Sequence, residues 1–191
     1  SSANAELVRE ALSDPADQES VDIILGEVER LGRLVTDLLY YARERDPVLA
    51  STDLQRLART TADLCQPSAA KAGVVLRVIG AGRGATDLEL SRQALLNVIR
   101  NAIEACRPGG NIDVVVACSC ISVRDTGGGV PEAVQQRLFE PFVSGRTRGL
   151  GLGGAVAKRC QQRQGGDLCL ESTSTAGSVF VLRWQAEDPA S

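Results

Sequence analysis

Leu95-Leu96-Asn97-Val98-Ile99-Arg100-Asn101-Ala102 decides the fold, together with Asp125-Thr126-Gly127-Gly128-Gly129-Val130-Pro131 downstream. In the first stretch two asparagines stand four apart. A helix puts both on one face, and the rest of the turn is apolar. Two amides on a buried helix need polar partners. An amide oxygen is a hard ligand suited to Mg2+, and a Mg2+ held mainly by substrate phosphates needs only one or two protein ligands. Taken alone, a solvated helix face with two tolerated asparagines explains the pair more simply. In the second stretch an acid closes an apolar strand and three glycines follow. That is a turn at minimum. A carboxylate there can also accept from an adenine amino group, while glycines let the backbone approach the base.

Two further segments follow in order. Leu138-Phe139-Glu140-Pro141-Phe142 holds two of the chain's three phenylalanines. It reads as a hydrophobic plug, suited to anchor a lid over Val143 to Leu150. Gly149-Leu150-Gly151-Leu152-Gly153-Gly154 then leads into a helix, where backbone N–H groups make an anion site. Arg146 and Arg148 add positive charge nearby in sequence. The segment lacks the preceding strand and trailing glycine of a dinucleotide fold, and no Gly-Lys-Ser/Thr follows. Rossmann and P-loop readings are therefore poor.

Around these segments helices and strands alternate without a strict βαβ repeat. A helix over about 52–71 leads to an apolar strand, Val74 to Ile79, and Gly80 to Gly84 reads as a loop. Asp87 to Cys106 is a helix with Leu88, Leu95, Ile99 and Ile103 on its buried side. Ile112 to Ala117 and Ile121 to Arg124 read as a hairpin. A short helix ends near Phe139, another spans about 152–164, and Leu168 to Glu171 and Val179 to Trp184 are strands joined by a Ser/Thr/Gly turn. The pattern predicts an α/β sandwich with a largely antiparallel or mixed sheet.

The N-terminal part differs. Val21, Ile24, Val28, Leu31, Val35, Leu38 and Ala42 step by three and four, a heptad seam on one long helix over 17–45 that Pro47 stops. Val8, Ala11 and Leu12 continue a shorter pattern, and Ser13-Asp14-Pro15 makes a turn, so the two helices form an antiparallel hairpin. A lone hairpin leaves its seam open. A second copy closing a four-helix bundle is the simplest cover, with the chain's own C-terminal part as the other candidate.

Bulk properties exclude several classes. With 43% hydrophobic but only 3% aromatic residues, the core must be aliphatic. A net charge of −3 with no long basic run gives no footprint for nucleic acid. No stretch reaches the ~18 apolar residues that span a bilayer, so no membrane contact is expected within this chain. The six cysteines form no CxxC pair and there is no histidine; Cys118 and Cys120 alternate along an apparent strand, so they are expected to share one face. A Cys/His zinc site is impossible, and buried, reduced cysteines of a cytosolic domain are expected. Histidine-based acid–base chemistry cannot operate from within the chain.

In order and spacing the four segments resemble the N, G1, F and G2 boxes of the catalytic domain of sensor histidine kinases, part of the superfamily that includes gyrase, Hsp90 and MutL. The resemblance spans about 88–182, and Ala176-Gly177-Ser178-Val179-Phe180 looks like the family's closing strand. Glu29 to Leu39 resembles the second helix of the family's dimerisation and phosphoacceptor domain. The resemblance implies an α+β chain: a helical hairpin over 1–46 that dimerises into a four-helix bundle, a Bergerat-type ATP-binding domain over 47–185, and a tail over 186–191. It implies ATP and Mg2+ as cofactors. Asn101 would be the Mg2+ ligand and Asn97 its phosphate-side companion. Asp125 would bind the adenine amino group, with Gly127 and Gly129 shaping that wall and Ser178 beside it. Arg146, Gly149, Gly151, Leu152 and Gly153 would take the phosphates.

Hydrolases of the superfamily place a glutamate one turn before the Mg2+ asparagine. Here that position is Asn97, which cannot serve as a base, so transfer to water should be slow. Other departures are Leu150 in place of the usual threonine, Gly154 where an aliphatic residue is common, Gln164 where a histidine is usual, a short lid, and a short hairpin tip at Cys118-Ser119. The phosphoacceptor histidine is missing; its motif would fall roughly three helical turns before Ser1. The expected function is an ATP-dependent protein histidine kinase core, cytoplasmic, homodimeric through the 17–45 helix, and passing its phosphoryl group to a response-regulator receiver domain. A catalytically degenerate dimeric scaffold is the competing reading. A serine kinase of the anti-sigma type fits the long heptad helix poorly.

Overall fold

The computed structural model describes residues 15–42, 46–143 and 151–185. The chain divides into two compact units, Ser1–Tyr40 and Tyr41–Ser191. In the first, α1 (Pro15–Ala42) begins on proline, whose fixed φ suits the first helical position. Ile24, Val28, Leu31, Val35 and Leu38 are all more than half exposed, so the heptad seam is an open apolar stripe in the single chain. The shorter helix expected over residues 1–12 lies outside the described residues.

The second unit is a two-layer α/β sandwich. Its elements are β1 (Ala50–Asp53), α2 (Leu54–Lys71), β2 (Val75–Ala81), β3 (Arg83–Thr86), α3 (Leu88–Ala105), β4 (Asn111–Ala117), β5 (Cys120–Asp125), α4 (Glu132–Gln135), α5 (Gly153–Arg163), β6 (Asp167–Ser174) and β7 (Gly177–Arg183). The main sheet runs β2-β4-β5-β7-β6. β2 and β4 are parallel, and the β4–β5, β5–β7 and β6–β7 pairs are antiparallel, so the sheet is mixed as expected. The parallel pair needs a long crossover, which β3 and α3 supply.

α2 packs on α3 and β2, and α5 packs on α3 and β6. The layer between helices and sheet is aliphatic: Leu54, Leu57, Leu95, Ile99, Ile112, Val114, Ile121, Val123, Leu168 and Leu182 are almost wholly buried. Both helices that open after β1 and β3 are capped by an aspartate. Asp53 Oδ1 accepts from Arg56 N at 3.0 Å, and Asp87 Oδ1 accepts from Glu89 N and Leu90 N at 3.1 Å. On the free edge of β2, Gln66 and Gln55 of α2 donate to the carbonyls of Leu76 and Gly80. Those carbonyls are thereby withdrawn from edge-to-edge pairing.

Four expectations are corrected. Gly80–Gly84 is not a loop: β2 continues to Ala81, and β3 starts at Arg83 and pairs antiparallel with β1. Neither β1 nor β3 carries the alternating bulky residues that mark a strand. Leu88 is 58% exposed, because at the first position of α3 it points away from the sheet. Cys118 and Cys120 do not share a strand face, since Cys118 sits in the turn at φ 49° and Cys120 begins β5. Only Cys65 and Cys160 are buried; Cys118 is exposed and the others are half-buried. Burial pushes the Cys65 thiol up, partly offset by the Arg100 charge.

No helix among the described residues is long and apolar enough to cross a membrane.

Candidate functional site

Asn97 and Asn101 lie one turn apart on α3, facing the start of α5. Asn97 is 5% exposed and its Nδ2 donates to Gln93 O at 3.2 Å. That bond fixes which way the amide points, so Oδ1 is turned to the other side. A Cβ built on Gly153 would stand 3.2 Å from Asn97 Oδ1 and 3.7 Å from Asn101 Oδ1. Two amide oxygens therefore converge on the first residue of α5, where there is no side chain. No side chain caps this helix among the described residues, and the first-turn N–H groups of a helix find no partner within it. Neutral oxygen donors beside helix N–H groups suit a cation and the anion it accompanies. The solvated-face reading of the asparagine pair fails at Asn97.

The glycines before α5 are held by the phenylalanine segment. Phe142 N donates to Gly151 O at 3.0 Å. Gly151 has φ +67°, and a Cβ there would meet the Val143 backbone at 2.5–2.6 Å. Leu152 is buried at 8% exposure, and its carbonyl accepts from Val156 N at 2.9 Å, so it serves as the apolar anchor of the helix start. The plug itself is half of what was expected. Phe139 meets the Phe180 ring edge-on at 6.5 Å, whereas Phe142 is 73% exposed on a backbone with φ 65°. A Cβ on Gly154 would lie 3.1 Å from Leu138 O, a close approach between α5 and the phenylalanine segment. Of the lid expected over Val143 to Leu150, Val143 is described, whereas Arg146, Arg148 and Gly149 lie outside the described residues.

Asp125 ends β5 on the sheet face that the helices cover and is 7% exposed. Its Oδ1 accepts from Gly127 N at 2.8 Å, a local turn that bends the chain under the carboxylate. A Cβ on Gly127 would stand 2.7 Å from Ala105 O and 2.8 Å from both Ala105 Cβ and Asp125 Oδ1, so the loop passes flush against the end of α3. Gly129 has φ +78°, and a Cβ there would fall 2.1 Å from Ser174 O; Gly128 has open space. Ser178, 4% exposed, is the cross-strand partner of Asp125. Asn101, one turn before Ala105, thus joins the amide end of the site to the carboxylate end.

Gln164 was read only as a replacement for a histidine. It is buried, and its Oε1 accepts from Asp87 N at 2.9 Å and from Ser91 Oγ at 3.1 Å. Trp184 Nε1 donates to the same serine at 2.9 Å. Gln164 therefore ties the end of α5 to the start of α3, holding together the two helices that build the site. Nothing in its sequence context signalled this.

Residues 86–188 match the family described as histidine kinase-, DNA gyrase B- and HSP90-like ATPase, more than half of the chain. The chain belongs to that ATPase family. Among its relatives it is 29% identical, over 190 residues, to the signal transduction histidine-protein kinase AtoS of Escherichia coli (strain K12), covering 93% of this chain. It spans only 30% of the length of AtoS. Full-length ShkA in complex with AMPPNP is similar in structure, with TM-score 0.70 and 26% identity over 96% of this chain and 42% of that one. The histidine kinase ThkA in complex with the response regulator TrrA shares the fold at TM-score 0.72 and 23% identity, over 97% of this chain and 56% of that one. Within the ATPase family the chain is thus a sensor histidine kinase ATPase domain on an α+β Bergerat fold.

Proposed function

We propose that this chain is the ATP-dependent kinase core of a two-component sensor, with a helical dimerisation segment over 1–46, an ATP-binding domain over 47–185 and a tail over 186–191. The observation that carries the proposal is the convergence of Asn97 and Asn101 on the glycine start of α5, with buried Asp125 at the other end of the same site. Asn101 holds Mg2+, and Asn97 stands on the phosphate side. Gly151, Leu152 and Gly153 present backbone N–H groups to the phosphates, and Arg146 and Gly149 join them on the strength of the family resemblance. Asp125 takes the adenine amino group, between the wall of Gly127 and Gly129 and the hydroxyl of Ser178. Bound Mg2+ supplies neutralisation of phosphate charge. The chain's own residues position the nucleotide and keep water from being activated, since the buried amide at 97 has no basic form.

The acceptor is a histidine outside these 191 residues, and the phosphoryl group then passes to a response regulator, as the ThkA–TrrA pairing supports. The open stripe on α1 supports a homodimer closed along that helix. The relatives are sensor kinases, which supports a place in the cytoplasm. With radiolabelled ATP, the 191-residue chain alone remains unlabelled, whereas a form extended at its N terminus by a histidine-bearing helix gains acid-labile label. Absence of label on the extended form would favour the scaffold reading.

A further inference from the structure

Between Leu170 and Ser172 the β6–β7 ladder carries one extra residue. Without it Ser172 would stand opposite Ser178; with it Thr173 does. Bulges bend a strand and re-aim the side chains beyond them. The outcome is a polar row across three adjacent strands: Asp125 on β5, Ser178 on β7 and Thr173 on β6.

Thr173 Oγ1 lies 2.8 Å from Val130 N and 3.0 Å from Ser178 Oγ. The amide of Val130 can only donate, so Thr173 accepts there. Thr173 Oγ1 keeps its proton and a second lone pair, so either hydroxyl can donate in the bond to Ser178 Oγ. When Ser178 gives its proton to a third group, beside the Asp125 carboxylate, Thr173 is the donor that holds the Ser178 oxygen in place. The same loop is tied to β6 a second time, where Gly129 passes against the Ser174 carbonyl.

We propose that Thr173 is a positioning residue for base selection, an inference that rests on the nucleotide reading above. Its hydroxyl fastens the exit of the 126–130 loop to β6 and orients the Ser178 hydroxyl. Asp125 then presents an acceptor and Ser178 a donor, side by side. That order matches the 6-amino group and ring N1 of adenine. It opposes guanine, which offers an acceptor and then a donor along the same edge.

The test measures Kd for Mg-ATP by calorimetry, and for Mg-GTP by competition, on the full chain and its variants. In Thr173→Val, which keeps the shape and removes the hydroxyl, Kd for ATP rises about 10-fold. Kd for GTP moves less than about twofold, so the preference for adenine falls. Thr173→Ser keeps the oxygen and restores the preference. In a Ser178→Ala background Thr173→Val adds little, because the two hydroxyls act as a pair. An unchanged ATP-to-GTP ratio in Thr173→Val, whether or not both affinities drop, overturns the inference while leaving the nucleotide site intact. No saturable ATP binding by the unaltered chain overturns both.

Discussion

Asn101→Ala raises the Kd for Mg-ATP roughly 10- to 150-fold, the equivalent of about 1.5–3 kcal/mol for one oxygen donor to a charged partner. The reason lies in the geometry at the start of α5. Asn101 Oδ1 and Asn97 Oδ1 both face Gly153, but Asn97 Nδ2 is tied back to Gln93. Asn101 is half-buried and reaches the site from one turn further along the helix, nearer the Asp125 end. The loss requires Mg2+: in EDTA the unaltered chain and the variant bind nucleotide with similar, weaker affinity. Calorimetric titration in both buffers checks it, and equal Mg2+-dependent affinities for the two proteins would remove Asn101 from the metal position.

The second large effect separates three adjacent glycines. Gly129→Ala forces a side chain onto a backbone at φ +78° with its Cβ 2.1 Å from Ser174 O. Strain and collision together cost about 2–4 kcal/mol, or a fall in Tm of roughly 4–16 °C for a unit of this size. Gly127→Ala meets the end of α3 and the Asp125 carboxylate, with backbone among the nearest atoms, so relief requires moving the loop that walls the site. Gly128→Ala meets nothing within 4 Å and shifts Tm by no more than about 2 °C. Thermal unfolding of the three variants gives the ranking. A Gly128 variant as damaged as the Gly129 one would contradict the loop geometry.

The parts of this fold that were legible from sequence share a cause. Helices and strands with bulky aliphatic residues at the proper period announced themselves: β4 and β5 bury the face their pattern marks, and so do α2 and α3 except at Leu64 and Leu88, both more than half exposed. β1 and β3 did not, because Ala50–Asp53 and Arg83–Thr86 are held by backbone pairing and by the packing of Leu54 and Trp184 on Gly84, not by large side chains of their own. The same limit applies at the site. Asn101, Asp125 and the glycines stand in motifs whose order and spacing drew attention to them. Gln164 and Thr173 act through long-range contacts, one across to α3 and one across a bulge, and a bulge leaves no mark in a Ser/Thr-rich turn. Phe142 was misjudged for the converse reason. An aromatic in an apolar segment reads as core, yet its backbone geometry turns it outward.

On the function proposed above, one Mg-ATP site is formed by the α3 amides, the 125–130 loop and the start of α5. Amide hydrogen exchange on the intact chain, with and without Mg-ATP, reads all three segments at once. Nucleotide-dependent protection is expected in peptides covering 97–105, 125–130 and 151–156, with β2 and the β4–β5 turn unchanged. Protection elsewhere with those three segments unaffected, or no nucleotide-dependent protection at all, would contradict it.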